Sequence, residues 1–245
     1  MVSVTHDDTK IISGSSNGSI KVGNANLRSD MLVQEWTHKS LSYPIAILPN
    51  DQLIVVAGGS NMVIYTMQGT RVNMVAIVKP IQSMAFSPNG KKLTCGTDDD
   101  IRIYNINNSQ LTLGLLRGHK GLVHSVLWSC SGSRLFSGSW DYMICCWNSN
   151  TGEQIGQPWT GHTNWICSLC LSPDRSILAS ASLDKTACFW DASSGQPIGQ
   201  HLHISRFRFC NRHIVAKIMT AFDTVIHSYS GFYILHHSQS HYIMG

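Results

Sequence analysis

Charged residues are scarce in this chain of 245 residues, where Asp, Glu, Lys and Arg together make up 13% of the sequence. Globular proteins usually carry about 25%. Gly, Ser, Thr and Asn take the place of the missing charges, as expected of a sheet protein with many turns. The chain is long enough to bury a large core, and an all-β chain of this length can form one domain.

Long hydrophobic runs and an export signal are also missing. No stretch of about 18 apolar residues occurs, so a transmembrane helix is excluded and we expect no membrane partner. Val2–Lys10 is polar and short, unlike a secretory signal peptide. Without an export signal, the eight cysteines are expected to be free thiols. The expected compartment is the cytoplasm, with the nucleus as the alternative.

A basic patch of the kind that binds nucleic acid is absent from most of the chain. The net charge is +4, and residues 203–245 contribute +3 of it, with four basic residues and one acidic residue. The preceding 202 residues are therefore nearly neutral and contain no basic stripe. Nucleic-acid-binding domains present such a stripe or patch, so we expect no nucleic-acid partner.

Two segments of the sequence follow one pattern with a period of 43 residues. Gly118–Asn148 and Gly161–Asp191 each contain a Gly-His pair, three apolar runs separated by turns, and a Trp near the end. Equivalent residues 43 positions apart are His119 and His162, Asp141 and Asp184, and Trp147 and Trp190. Self-similarity at this period, with a terminal Trp-Asp or its remnant, is typical of a β-propeller.

Both segments resemble the repeats of the WD-repeat family, also called WD40. In each, a His lies 22 residues before a turn Asp, a Ser lies four residues before it, and a Trp lies six residues after it. The resemblance implies an all-β, WD40-type β-propeller in which each quartet forms a hydrogen-bonded chain inside one blade. Buried polar groups are tolerated when they satisfy one another in this way. The quartets are His119, Ser137, Asp141 and Trp147, and His162, Ser180, Asp184 and Trp190.

Three weaker copies of the repeat precede these two. In the third copy, Thr94, Asp98 and Tyr104 occupy the Ser, Asp and Trp positions, and the His is missing. The small residue that ends the second strand of each copy falls at Gly14, Gly58, Gly96, Gly138 and Ala181. We therefore predict about five four-stranded blades within residues 1–202. WD-repeat propellers usually have seven, so the predicted ring is incomplete or open, and its edges could support self-association.

The pattern stops after Leu202. Residues 203–245 are about one blade long but contain no Gly-His pair and no Trp-Asp. We expect a divergent tail, which is either disordered and foreign to the propeller or packed as an irregular partial blade.

The quartets contain the three residue types of a hydrolase triad. They recur at identical spacing beside a Trp, which a single active site would not require, so we favour a structural role and assign no catalytic residue. Cys167 and Cys170 have the spacing of a zinc knuckle. They lie in a predicted strand, where positions three apart face opposite sides, so two buried thiols are favoured. We predict no metal site and no cofactor.

A surface for protein partners is the remaining candidate. In WD repeats, the loops before the first strand and between the second and third strands gather on one face. Exposed aromatic residues at such places often anchor interfaces, although they can also cover blade edges or pack on a neighbouring loop. The candidate residues of this face are Leu122, Trp140, Asn164, Trp165 and Leu183.

The function that this sequence favours is a non-catalytic platform for protein–protein interactions. Residues 156–159 and 194–199 resemble linkers in long fungal WD-repeat arrays, which are often joined to nucleotide-dependent signalling modules. The resemblance suggests a sensor or adaptor part of a larger signalling protein. The alternatives are a truncated or degenerate repeat product without independent function and, less favoured, a propeller hydrolase.

Overall fold

A computed structural model describes residues 2–15, 17–25, 32–37, 44–58, 61–77 and 79–204 of the chain. Nearly all of the C-terminal tail lies outside these ranges, so neither expectation for the tail is addressed by them. The described residues contain nineteen β-strands and no helix. None of them therefore forms a helix long and apolar enough to cross a membrane.

The strands form five consecutive antiparallel sheets, which we call blades 1 to 5. Blade 1 consists of β1 (Val2–Val4), β2 (Lys10–Gly14), β3 (Ser19–Asn24) and β4 (Leu32–Thr37). Blade 2 consists of β5 (Ile45–Ile47), β6 (Leu53–Gly58), β7 (Asn61–Thr66) and β8 (Arg71–Ala76). Blade 3 consists of β9 (Ser83–Phe86), β10 (Lys92–Gly96), β11 (Asp100–Asn105) and β12 (Leu111–Arg117). Blade 4 consists of β13 (Val123–Trp128), β14 (Arg134–Ser139) and β15 (Ile144–Asn148). Blade 5 consists of β16 (Ile166–Leu171), β17 (Ile177–Ser182), β18 (Thr186–Asp191) and β19 (Pro197–His203). The predicted all-β fold with five blades is confirmed.

Blade 4 departs from the expected four strands. Only isolated bridges, Ile144 to Trp159 and Trp147 to Gln154, occupy the position of its outer strand. The intervening residues include Gly156, with φ +70°, and Pro158, which has no N–H to donate to a ladder. These two residues prevent a regular outer strand between the bridges.

The middle strands of blades 2 to 4 are largely buried on both faces because each of these blades packs between two neighbours. Every residue of β14 after Arg134 is buried, as is every residue of β17 after Ile177. The outer strands β8, β12 and β19 are mostly exposed. Their alternation of apolar and polar residues fits an edge that faces solvent on one side.

The hydrophobic core is divided into layers between successive blades. One apolar cluster joins blades 1 and 2, another joins blades 2 and 3, and two more join blades 3 to 4 and 4 to 5. The inner strands β1, β5, β9, β13 and β16 are neighbours in that order. We call the side of a blade that packs on the next blade its forward face, and the opposite side its receiving face. The described sheets form an arc and do not close into a ring.

Candidate partner-binding face

Four buried side chains form one hydrogen-bonded chain in blade 5. Trp190 Nε1 donates to Ser180 Oγ at 2.9 Å, Ser180 Oγ lies 2.8 Å from His162 Nε2, and His162 Nδ1 lies 2.8 Å from Asp184 Oδ2. Blade 4 repeats this chain with Trp147, Ser137, His119 and Asp141 at 2.8, 2.7 and 2.8 Å. The structure thus brings together all eight residues of the two sequence quartets.

The direction of these hydrogen bonds follows from the tryptophan. An indole N–H can only donate, so Ser180 Oγ must accept it, and the serine O–H is then free to donate to His162 Nε2. His162 Nδ1–H in turn donates to Asp184. This arrangement requires a neutral imidazole next to an ionised carboxylate.

The pKa shifts agree with that protonation state. Burial lowers the pKa of His162, against the raising effect of Asp184. Burial opposes ionisation of Asp184, but hydrogen bonds from Thr186, from the Thr163 N–H and from His162 outweigh it and lower the pKa of this carboxyl. In blade 4, hydrogen bonds from His119 and the Lys120 N–H likewise overcome burial and lower the pKa of Asp141.

Each quartet ties the Gly-His loop to the turn between the second and third strands of its blade. Asp184 Oδ2 also accepts the Thr163 N–H at 3.0 Å, and Asp141 Oδ2 accepts the Lys120 N–H at 2.9 Å. Ser137 and Ser180 are completely buried, and their hydroxyl groups are engaged at both ends. A hydroxyl held in this way cannot reach a substrate, so the geometry favours a structural role over a hydrolase triad.

Blade 3 lacks a quartet, and the sequence reading of its turn requires correction. Thr94 Oγ1 is buried without a hydrogen-bond partner. Thr94 does not occupy the Ser position, because Tyr104 pairs with Leu93 as Trp190 pairs with Leu178, so Cys95 is the residue equivalent to Ser180. Asp98 lies only near Gln82 Nε2, at 3.4 Å. The buried carboxylate is instead that of Asp100, which accepts Thr97 Oγ1 at 2.8 Å and Arg102 Nε at 3.0 Å. Arg102 lies two positions away on the same strand face, and its bond to Asp100 distinguishes this residue from its acidic neighbours in the structure.

Two tryptophans stack on the loop side of blades 4 and 5. The rings of Trp140 and Trp165 have centroids 3.9 Å apart and are nearly parallel, with an angle of 4°. His124 stacks on the other side of Trp140, at 6.4 Å and 16°. Its Nδ1 also lies 2.9 Å from the Cys167 carbonyl oxygen of blade 5. Trp140 is therefore half-buried between two blades, whereas Trp165 is 37% exposed.

Backbone hydrogen bonds hold the loops that carry these rings. The Trp140 N–H donates to the Leu122 carbonyl at 3.0 Å, and the Leu183 N–H donates to the Trp165 carbonyl at 2.9 Å. Asn164 Oδ1 accepts the Trp165 N–H, and its own carbonyl accepts Ser182 Oγ at 2.9 Å. All five candidate residues thus belong to one connected surface, which we call the loop face.

The sequence reading overlooked two further exposed residues of the loop face. Tyr142 is 42% exposed and Met143 is 36% exposed, in the same turn as Trp140. Tyr142 has φ +74°, an unusual conformation for a tyrosine. In the sequence, the feature that could have indicated their exposure is their position directly after Asp141, the turn Asp of blade 4.

A cleft of about 320 Å³ separates the outer parts of blades 4 and 5. Residues 155–160 and 193–197 line it, together with Cys146 and Trp190. Residues 156–159 and 194–197 of the two segments that resemble fungal linkers therefore line one cleft. Gly195 has φ +75°, and a Cβ at this position would overlap Trp159 Nε1, so glycine is needed there for both reasons.

Most cysteines in the described part of the chain are free and buried. The free thiols are those of Cys95, Cys130, Cys145, Cys146, Cys170 and Cys188. Burial raises the pKa of Cys145 and Cys170 to about 12 and that of Cys188 to about 11, so these groups are thiols at neutral pH. Cys167 is disulfide-bonded, which corrects the expectation of a free thiol there. Strand alternation indicates which face a sulfur occupies, but not its oxidation state.

No group of three metal-ligating side chains occurs within the described ranges. The five antiparallel sheets, their shared core layers and the two buried quartets define a repeat protein of the β-propeller class. The segments 76–105, 110–148 and 152–191 match the family model described as WD domain, G-beta repeat. The chain therefore contains WD repeats. Segment 110–148 contains β12 to β15, so one sequence repeat spans the outer strand of one blade and three strands of the next.

Similar proteins include three with known assemblies in their names. The U5 small nuclear ribonucleoprotein 40 kDa protein of Dictyostelium discoideum is 27% identical over 43% of this chain and 32% of its own length. Small ribosomal subunit protein RACK1 of Trypanosoma brucei brucei is 31% identical over 33% of this chain and 27% of its own length. COMPASS component SWD3 of Saccharomyces cerevisiae is 27% identical over 43% of this chain and 34% of its own length. The chain thus spans about a third of the length of these relatives.

Proposed function

We propose that this protein is a non-catalytic platform that binds a protein partner through the loop face. The observation that carries the proposal is the stacked pair of Trp140 and Trp165, with Trp165 exposed and its backbone fixed by hydrogen bonds. Rigid aromatic rings supply contact area at a small cost in conformational entropy, and such residues commonly dominate interface energies.

Two further observations support a binding role over catalysis. Both quartet serines are completely buried and are bonded to their own histidine and tryptophan. The names of the three relatives describe parts of a ribonucleoprotein, a ribosomal subunit and a complex. Assembly with other proteins is the property that we carry over to this chain.

Replacement of Trp165 by Ala tests the proposal. Quantitative pull-down from cells that express the protein should show loss of the captured partners, with a thermal midpoint close to that of the wild type because Trp165 is exposed. Met74→Ala, on the exposed outer strand β8 of blade 2, is the matched control and should retain capture. Equal capture by all three proteins would exclude the loop face as the docking surface.

Trp140 is a poorer choice for this test, although the sequence alone suggests both tryptophans. It is half-buried between His124 and Trp165 and joins two blades. We therefore expect Trp140→Ala to lower the thermal midpoint as well as capture. A midpoint unchanged by Trp140→Ala would show that the ring does not support the contact between blades 4 and 5.

We propose further that the chain is the sensor or adaptor part of a larger signalling protein. The support is that the two segments that resemble linkers of long repeat arrays line one cleft, through residues 156–159 and 194–197. An antibody against blades 4 and 5 should detect an endogenous protein well above 27.1 kDa. A single band at about the mass of this chain would contradict the proposal.

A further inference from the structure

Blades 4 and 5 contribute equivalent positions to the loop face, and the side chains at these positions differ in character. The residue before the turn Asp is Trp140 in blade 4 and Leu183 in blade 5, and the residue after it is Tyr142 or Lys185. Tyr142 and Lys185 both have positive φ, at +74° and +68°. The two turns therefore share one backbone conformation, and the chemistry of the face is decided by the side chains that they carry.

The centre of the loop face is apolar. Trp165, Leu183, Tyr142 and Met143 are each at least 36% exposed. Trp165 lies flat on Trp140, which belongs to the same turn as Tyr142 and Met143. The Leu183 N–H is bonded to the Trp165 carbonyl, so the four exposed side chains stand on connected loops. A connected group of exposed apolar side chains is typical of an interaction site.

Two lysines in the same loops have no acidic partner. Lys120 follows the histidine of the Gly-His loop in blade 4, and Lys185 follows the turn Asp of blade 5. Both are exposed. Neither forms an ion pair within the described ranges, whereas Lys21 and Lys79 do. Their ammonium groups are therefore free to meet a negatively charged group from outside the chain.

The two carboxylates of these loops are already engaged. Asp141 and Asp184 expose less than a tenth of their side chains. Both oxygens of each carboxylate accept hydrogen bonds from the surrounding loop and turn. The two carboxylates cancel the two ammonium groups in net charge, but a partner can make direct contact only with the ammonium groups.

The turn of blade 3 sets a limit to this surface. Asp98 and Asp99 are exposed there, and only Asp99 has a cation beside it, that of Lys79. Like charges facing each other across an interface cost affinity. An acidic partner would therefore be kept to the loops of blades 4 and 5.

A cationic partner is the main alternative, because an exposed tryptophan can receive a cation on its ring face. Such a partner would have to approach Trp165 over loops that carry two unpaired lysines. A partner with carboxylates gains an attractive contact from each of these lysines. The arrangement of charge therefore favours an acidic partner over a basic one.

We propose that the partner docks through an acidic segment that contains an apolar side chain. The apolar side chain covers Trp165 and Leu183, and Asp or Glu residues on either side of it pair with Lys120 and Lys185. This inference rests on the proposed function, because it assigns the partner's chemistry at the same loop face. Exposed ion pairs of this kind steer association and select between partners, and salt screens them.

Fluorescence anisotropy of dye-labelled peptides with the intact chain tests the proposal. The acidic probe is a synthetic peptide with Phe-Leu at its centre and three glutamates on each side, and the basic probe has lysines in place of the glutamates. The acidic peptide should bind at least ten-fold more tightly than the basic one, and its affinity should fall at least ten-fold between about 50 and 300 mM NaCl. Equal or tighter binding of the basic peptide, or no binding of the acidic one, would overturn the proposal. Equal binding of a glutamate peptide without Phe-Leu would also overturn it.

Charge reversal at the two lysines tests their part in the contact. Lys120→Glu combined with Lys185→Glu should weaken binding of the acidic peptide at least ten-fold. Lys91→Glu is the matched control, because Lys91 is exposed in the turn between the first two strands of blade 3, at the opposite end of the sheet. It should leave the affinity unchanged. If the reversed variant does not fold, Lys120→Gln with Lys185→Gln removes the charges from the same exposed positions, and an unchanged affinity would refute the pairing.

The pull-down with Trp165→Ala distinguishes failure of this inference from failure of the proposed function. Loss of capture in both Trp165→Ala and the charge-reversed variant supports the acidic segment. Loss of capture in Trp165→Ala alone overturns the acidic segment and leaves the loop face as the docking surface. Capture that neither variant changes overturns both proposals.

Discussion

At the scale of single residues, the two quartets stabilise blades 4 and 5 through a single protonation state. The neutral imidazole of His162 accepts from Ser180 and donates to ionised Asp184. A second proton on the ring would compete for Ser180 Oγ, which already accepts the Trp190 N–H. The buried quartet therefore resists protonation, and the stability of the blade depends on pH.

Stability should fall as the pH is lowered from 7.5 to 5. The pKa of His162 in the folded protein lies below its ordinary value of 6.5, so the unfolded chain binds more protons in this range and is favoured. The contribution of Asp184, whose pKa lies below 3.8, is lost only at still lower pH. Differential scanning calorimetry should show a falling thermal midpoint, with a shallower slope for His162→Gln. A level or rising midpoint would contradict the proposed protonation state.

Ser180 and Thr94 both carry a completely buried hydroxyl group, and they should respond oppositely to its loss. Ser180→Ala leaves the Trp190 N–H and His162 Nε2 buried without partners, at a cost of about 1–3 kcal/mol for each group. Thr94→Val removes a hydroxyl that has no partner, so the free energy of unfolding should stay the same or rise. Chemical denaturation measures both. A large loss for Thr94→Val would show that its hydroxyl is bonded in solution.

The quartets were predictable from the sequence, and Asp100 was not. His119, Ser137, Asp141 and Trp147 recur at one spacing 43 residues later, and a repeated spacing is visible without coordinates. In blade 3, three consecutive aspartates compete for one role, and the choice depends on which carboxylate is buried beside Arg102. The buried, unpartnered hydroxyl of Ser168 could not be predicted from the sequence either, because the lack of a hydrogen-bond partner is visible only in the packed blades.

At the scale of elements, the segments that follow β15 and β18 differ in how tightly they pack. Gly156 and Gly195 both have positive φ, at +70° and +75°. No atom lies within 4 Å of a Cβ on Gly156, whereas a Cβ on Gly195 would overlap the Trp159 ring. The strand positions themselves followed from turns and alternation, but the close packing of Gly195 on Trp159 is a contact between blades that the sequence does not show.

Alanine at these two glycines separates backbone strain from packing. Gly156→Ala should cost only the strain of positive φ, about 1–2 kcal/mol. Gly195→Ala adds the displacement of Trp159, about 1–3 kcal/mol more. Urea unfolding followed by tryptophan fluorescence gives both values. Equal losses for the two variants would mean that Trp159 does not pack on Gly195.

At the scale of the whole molecule, the arc has an open end at blade 1. Val4 and Ile11 expose apolar surface on blade 1, where the other blades are covered by a preceding sheet. The number of blades was predictable from the series of small residues between Gly14 and Ala181. The exposure of the blade 1 face was not, because it depends on what that face touches.

The sequence led us to expect self-association through open blade edges, and we propose that the exposed receiving face of blade 1 provides the contact. Sedimentation velocity should show an average mass that increases with protein concentration. Ile11→Lys places a charge on the exposed face and should restore the monomer, and Leu115→Lys, an exposed residue of β12, should not. A monomer at all concentrations would rule out association through this face.

Because each of the four core layers between blades is formed by two sheets, no single blade can bury its apolar residues by itself. Nearest-neighbour coupling of this kind makes unfolding a process that spreads from the ends of a stack. Blade 1 shares only a single layer and has no quartet, so it should lose its structure first on mild heating. Blades 4 and 5 should persist longest and provide the template on which the rest of the arc reassembles after cooling.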